Sequence, residues 1–396
     1  MLSHVMPVYA PAPVVPVSGK GLWLYEANGT AWIDCIGGIA TNALGHCHPA
    51  LVDALALQSH ALWHVSNALC IPGQAELGAK LTAASFAELA FFCNSGTEAV
   101  ECAIKTARRY HAVRGAPERS GIIGFHGSFH GRTYAAINAS GNPAYLEGCG
   151  PLLPGFDHFD IADRAGLAAA VARPTTAAVI VEPVQGEGGA RALADADLLR
   201  LRQLCSAHGV LLIHDEVQCG MGRTGRLFAH QWVEGAAPDI MAIAKALGGG
   251  FPVGACLATA DAASGMTAAS HGSTFGGNPL AMAVAGAAFD IIADPDMLAH
   301  VRAMSEQLRS ALETLRCQHP DIIVDVRGKG LLIGLKLAPN NRAFIAAARQ
   351  HGLLLAGGGD NIVRLLPPLT VSAEEAEMIV ERIAATCMAM ICPAVA

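Results

Sequence analysis

Residues 210–225 read VLLIHDEVQCGMGRTG. The run Val210-Leu211-Leu212-Ile213-His214 has the length and aliphatic character of a strand buried on both faces. It stops at Asp215 and Glu216, and a glycine-rich stretch from Cys219 to Gly225 follows. A carboxylate ending a buried strand is costly unless a cation meets it. Asp215 therefore either reaches solvent or faces a positive group.

Apolar runs of this kind recur along the chain, with helical patterns between them. FAELAFFCN (86–94) leads into a helix over about 97–114. IIGFHG (122–127) follows, then AAVIVEPV (177–184) with a helix at about 195–208, then VLLIHDEV, IMAIAKAL (240–247) and VGACLAT (253–259). Such alternation predicts an α/β fold, a mainly parallel sheet wrapped by helices. Upstream, residues 1–50 read as an arm with short strands, and Asn28-Gly29 between two alternating runs is a hairpin signal. Helical periodicity covers 49–64 and 74–84. Downstream, Asp294-Pro295 interrupts a helical stretch near 278–316. HPDIIVDVRGKGLLIGLKL (319–337) then gives two strands around a glycine turn, and two helices flank NIVRLLPPLTV (361–371). That part reads as a small α+β domain.

At 396 residues, one large domain plus a smaller one is expected. Hydrophobic residues at 52% against 15% charged indicate a globular, well-buried chain. A net charge of −7 with no basic block argues against nucleic acid as a partner. No apolar stretch reaches the roughly 18 residues of a membrane span. The opening MLSHVMPVYAPAPVVPV lacks the pattern of a secretory signal. The twelve cysteines form no CxxC and sit mostly in apolar runs, which suits buried free thiols in a reducing cytoplasm. The tail TCMAMICPAVA is expected to pack against the body.

Ligands of open α/β sheets bind beyond the carboxyl ends of the strands. Six polar loops fall there. In CNSGTE (93–98), helix N–H groups at Gly96 and Thr97 suit a phosphate, although taken alone an ordinary N-cap is the plainer reading. In FHGSFHGRT (125–133), His126 and His130 are four apart, but Gly127 and Gly131 disfavour a helix and no third metal ligand is evident. No metal is expected. The stretch instead offers Phe129 as a flat face and Arg132 as a carboxylate fork. Glu182 and Glu187 follow a buried strand in VEPVQGEGG (181–189), where acids in water are the plain alternative. Asp215 and Gln218 belong to the opening stretch. Lys245 follows the apolar run Ile240–Ala244; a lysine that is hard to solvate has a lowered pKa and can form a Schiff base. HGSTFGGNP (271–279) is a further possible phosphate cradle. A phosphate nest, an aromatic face, a strand-end Asp and a lysine thirty residues on are together what pyridoxal phosphate needs: N–H donors, a stacking ring, a carboxylate for its pyridinium and an amine for its aldehyde.

These motifs, with GGIATNALGHCHP (37–49), RGKGLLIG (327–334) and VRLLPPL (363–369), make the chain resemble the class III aminotransferases of fold type I nearly end to end, and within them the acetylornithine aminotransferases. The resemblance implies a large pyridoxal 5'-phosphate-binding domain over 51–295 built on a mainly parallel seven-stranded sheet. It also implies a small α+β domain formed by 1–50 and 296–396. It implies Lys245 as the Schiff-base lysine and proton shuttle, Asp215 on the pyridine nitrogen, Gln218 on the phenolic oxygen and Phe129 on the ring. Gly96 and Thr97 would hold the phosphate, joined by Thr274 of a neighbouring subunit. Arg132 would clamp the substrate α-carboxylate, with Ser273 nearby across the interface, and Glu187 and Arg364 would form a switchable pair. The implied substrates are N2-acetylornithine and 2-oxoglutarate, in a cytoplasmic homodimer with shared sites. Succinylornithine, N-succinyl-diaminopimelate, ornithine or 4-aminobutyrate are the alternative amines. The sequence departs from close relatives at Cys70, Thr97, Val100 and His214, and Cys70 bears most on the substrate.

Overall fold

The structure, a computed structural model, describes residues 4–391. Its centre is a seven-stranded sheet of β1 (Leu89–Cys93), β2 (Gly121–Phe125), β3 (Phe156–Phe159), β4 (Thr176–Val181), β5 (Leu211–Asp215), β6 (Ile240–Ile243) and β7 (Gly254–Ala258). The spatial order is β1-β7-β6-β5-β4-β2-β3. Only β7 runs against the rest, pairing antiparallel with both β6 and β1. β5 pairs in parallel with β4 and β6, placing Asp215 opposite Ala242.

The central strands are buried on both faces, as their unbroken apolar runs require: every residue of β4, β5, β6 and β7 is buried. Helices cover the sheet. α1 (Gly96–Val113) lays Ala99, Val100, Ala103 and Ala107 against it, and Ile104 is 2% exposed. Truncating a fully buried strand residue such as Ile180 to Ala costs about 2–5 kcal/mol by cavity formation.

The arm strands Pro16–Lys20, Trp23–Glu26 and Ala31–Asp34 form a sheet completed by Leu353–Leu354 from near the other end of the chain. A further sheet joins the hairpin Ile323–Lys329/Leu332–Leu337 to Ile362–Leu365 and Ala356–Gly358. The helices Pro279–Ile292 and Pro295–Gln318 are separated at Asp294, whose side chain caps the second.

The sequence reading placed no helix at Tyr134–Ser140 or Arg164–Val171, and two further elements differ from it. The helix expected over 49–64 ends at Ser59. Beyond it Leu62 is 44% and Trp63 65% exposed, so no apolar face rewards extension. The strand Phe156–Phe159 was not anticipated; it is a half-buried edge strand following a Pro- and Gly-rich loop that carries no periodicity. At the carboxyl end, Ala373–Ile391 is helical with Thr386 and Cys387 buried, while Met388 and Ile391 face out. The rest of the expected packed tail, 392–396, lies outside the described residues.

Candidate active site

Because β7 alone is reversed, the loops after β1, β2, β4, β5 and β6 and the entry to β7 emerge at one edge of the sheet. They enclose a cavity of about 380 Å3 lined by Asn94–Thr97, Phe129–Arg132, Glu182, Asp215, Val217, Gln218, Lys245 and Gly250–Val253, with Thr41 from the arm. Five sequence-distant loops and the arm thus meet where the strand-end rule places a ligand.

Lys245 follows β6 and is half-buried. It holds φ +48°, a left-handed backbone that is uncommon for a residue with a side chain. Its amine makes no hydrogen bond or ion pair among the described residues. Burial lowers its pKa; the Glu187 carboxylate opposes that shift and the Arg364 guanidinium reinforces it.

Asp215 is 3% exposed, and the cation that its burial demands is on the protein itself. His130 Nδ1 stands 2.7 Å from Asp215 Oδ2, and the Val217 N–H donates to Oδ1 at 3.0 Å. Burial opposes protonation of His130, yet the Asp215 carboxylate outweighs it and raises the pKa. Glu182 lies beside this pair and is not an acid in water: it is 5% exposed and accepts the Phe129 N–H at 2.7 Å and the Gly186 N–H at 3.3 Å. Burial, against the pull of His130, brings its pKa up to about 7.

At the start of α1 the two readings coexist. Ser95 Oγ accepts the Glu98 N–H at 3.4 Å and Glu98 accepts the Asn94 N–H at 2.5 Å, while Gly96 and Thr97 face the cavity. Gly131 is fixed by geometry: at φ +119° its Cβ would stand 2.2 Å from Thr97 Oγ1. Phe129 presents its ring to the cavity, and Arg132 lies exposed at its edge without an ion pair among the described residues.

Arg364, only 2% exposed, donates to Glu187 at 2.7 Å, to the Gly357 carbonyl at 2.7 Å and to Gln218 Oε1 at 3.3 Å. Glu187 and Arg364 are therefore paired at the cavity's flank. Ser273 and Thr274 are not in the Lys245 cavity of their own chain. They line an adjoining one with His271 and Glu98, linked to the first through Asn94, whose amide donates to Ser273 Oγ at 3.2 Å.

The role of His130 escaped the sequence reading, because its histidine spacing was weighed only as a metal signal. Next to Asp215, Glu216 forms a buried group with His214 and His230. Its oxygens already accept the Ala229 and His230 N–H groups, at 2.5 and 2.9 Å, and His230 Nδ1 lies 3.1 Å away. Burial raises its pKa, but the two histidines more than reverse this, to about 2.

Residues 5–387 match the family described as aminotransferase class-III. The chain belongs to the class III aminotransferases. It is 60% identical to acetylornithine aminotransferase 2 of Caulobacter vibrioides over 98% of this chain and 95% of that one. The ornithine aminotransferase of Toxoplasma gondii ME49 superposes with a TM-score of 0.94 at 32% identity, covering 98% of this chain and 93% of that chain. An amine transaminase from an uncultivated Pseudomonas species, solved in its PLP-bound form, superposes with a TM-score of 0.91 at 29% identity, over 98% of this chain and 99% of that chain.

Pyridoxal 5'-phosphate is the cofactor of this aminotransferase. The cavity fits it. A flat ring face, a buried carboxylate with fixed partners, the N-terminus of α1 and an unpaired amine surround one space. The Gly131 contact with Thr97 shows that space kept clear of a side chain beside the helix end. Among the described residues no helix is long and apolar enough to cross a membrane.

Proposed function

We propose that this enzyme transfers the terminal amine of N2-acetylornithine to 2-oxoglutarate, releasing N-acetylglutamate 5-semialdehyde and glutamate, in arginine biosynthesis. It would act as a cytoplasmic homodimer. The observation that carries the reading is the contrast between two arginines: Arg132 is exposed and unpaired at the cavity edge, whereas Arg364 is buried and neutralised by Glu187. One amine substrate with a single carboxylate needs one free guanidinium. A dicarboxylic oxo acid needs two, and Glu187, 29% exposed, can swing away to release the second.

Lys245, Asp215, Gly96, Thr97, Phe129 and Gln218 would hold the cofactor. Bound there, it supplies an aldehyde carbon for the amine and a ring that accepts an electron pair. Asp215, oriented by His130, keeps a proton on the ring nitrogen. Phe129 covers the ring face and excludes water. Lys245, its amine pushed toward neutrality, would take a proton from the amine-bearing carbon and deliver it to the cofactor's aldehyde carbon, two bonds away across the shared nitrogen. Arg132 orients the α-carboxylate so that the far amine, not the acylated one, reaches the reacting carbon. Thr274 and Ser273, outside their own chain's cavity, would complete the partner's site, which supports an obligate dimer.

The identity to the Caulobacter enzyme favours acetylornithine over ornithine, since the ornithine enzyme of Toxoplasma stands at 32%. Steady-state kcat/KM for acetylornithine, succinylornithine, ornithine and 4-aminobutyrate, at fixed 2-oxoglutarate, tests this. Acetylornithine leading is expected; 4-aminobutyrate leading overturns the substrate assignment.

A further inference from the structure

Arg132 makes no ion pair among the described residues, and what holds it is aromatic. Its Cζ lies 3.9 Å from the centroid of the Tyr145 ring and 5.7 Å from that of Phe129. The two rings meet edge to face, with centroids 5.8 Å apart and planes at 89°. A guanidinium on an aromatic face is attracted to the ring quadrupole while its N–H edges stay free for a carboxylate.

The chain builds this contact as a bracket. Arg132 precedes helix α2 (Tyr134–Ser140), and Tyr145 sits in the single turn α3 (Pro143–Leu146) just beyond it. Gly141 closes α2 at φ +62°, where a Cβ would strike the His158 ring at 2.3 Å. His158, on β3, is 2.8 Å from the Asn138 carbonyl, and Asn142 Oδ1 accepts the Ala144 N–H at 3.0 Å. Both ends of the bracket are thereby tied down, and Tyr145 is half-buried between Arg132 and the polar cavity of Asn142 and Glu187.

We propose that Tyr145 is a positioning residue for substrate recognition: its ring holds the Arg132 guanidinium at the height and tilt at which it receives the substrate carboxylate, and transmits the Phe129 ring plane to it. This rests on the role given to Arg132 above. The tyrosine touches neither the amine nor the reacting carbon, so it acts on binding and not on the chemical step.

The test compares Tyr145→Leu and Tyr145→Phe in the cofactor-loaded enzyme. The substrates are the carboxylated amine that the wild type turns over best and a carboxylate-free diamine, cadaverine. Between exposed and desolvated settings, loss of a cation–π contact corresponds to about a 3- to 30-fold change in affinity. Tyr145→Leu is expected to raise KM for the carboxylated amine by that factor with kcat within about twofold. Its kcat/KM for cadaverine should match the wild type, and Tyr145→Phe should restore KM. In an Arg132→Ala background Tyr145→Leu should have no further effect, because the partner is gone. Equal losses on both amines, a fall in kcat with KM unchanged, or additivity with Arg132→Ala overturns the proposal. Should Tyr145→Leu fail to fold, the same contrast is read from Tyr145→Phe against Tyr145→His. Failure of the acetylornithine assignment shows differently, as a wild type that prefers another amine, and leaves this comparison readable on that amine.

Discussion

Replacing His130 with Phe keeps the ring volume and removes the side chain that donates to Asp215 Oδ2. The imidazole is fully buried and Asp215 is 3% exposed, so solvent cannot substitute. Losing one partner of a buried ion pair costs about 3–5 kcal/mol. The sign of the pH dependence follows from the raised pKa of His130. A histidine whose folded pKa lies above the unfolded value stabilises fully below about pH 6.5, and that contribution fades as pH rises through the folded value. Above it the neutral ring still donates one hydrogen bond to a carboxylate, about 1.5–3 kcal/mol. The His130→Phe penalty in cofactor-free enzyme should therefore shrink by about 1–2 kcal/mol between pH 5.5 and pH 8.5 or above. Urea denaturation of wild type and variant at both pH values measures it, with His130→Asn, a neutral donor, as a second variant that keeps a hydrogen bond to the carboxylate and should be the milder of the two near pH 8.5. A penalty that is flat or grows with pH for His130→Phe would refute the ionic pairing. Cofactor should also reduce the penalty, because Asp215 then regains a positive neighbour.

Four further outcomes follow from the same geometry. Lys245→Ala should lose at least about 10²–10⁴-fold in kcat, and near-normal turnover without added amine would exclude Lys245 as the proton carrier. Arg364→Leu should raise KM for 2-oxoglutarate about tenfold or more while sparing kcat/KM for a monocarboxylic amine in single-turnover measurements. Gly131→Ala should weaken cofactor retention at least about tenfold in dialysis followed by absorbance, since its Cβ would press on Thr97 from a left-handed backbone. Glu216 has a pKa depressed to about 2, so its stabilisation is present above about pH 4.5 and lost as pH falls toward 2. Glu216→Gln should thus cost about 3 kcal/mol at pH 7, with the gap to wild type narrowing by pH 3 in denaturation curves.

The strands of the large sheet were legible because burial on both faces leaves unbroken apolar runs, as in Thr176–Val181 and Leu211–Asp215. Lys245 and Asp215 stood out because each follows such a run and is of the wrong polarity for it. The pairings were harder to read. His130 meets Asp215 from 85 positions away, and Arg364 meets Glu187 across 177. No local periodicity encodes contacts of that kind; they arise from strand order and register. Tyr145 was silent for a similar reason, since only the turn at Gly141 brings it back over Arg132.

The pairings also explain the chemistry left over. The cavity and its flank gather the carboxyls of Asp215, Glu182 and Glu187 with the basic groups of His130, Lys245, Arg364 and Arg132. Two pairs close on themselves, His130 with Asp215 and Arg364 with Glu187, each at 2.7 Å. Besides Arg132 at the edge, what remains in the cavity without an ion-pair partner is one amine and one acid, and burial drives both toward their neutral forms: Lys245 downward, Glu182 up to about 7. The arrangement therefore favours the neutral amine at Lys245, the form that acts as nucleophile and base. It does so by giving the competing charges partners of their own. Had Glu182 been placed to pair with Lys245, the amine would be held as an ammonium and the same residues would make a stable but idle salt bridge.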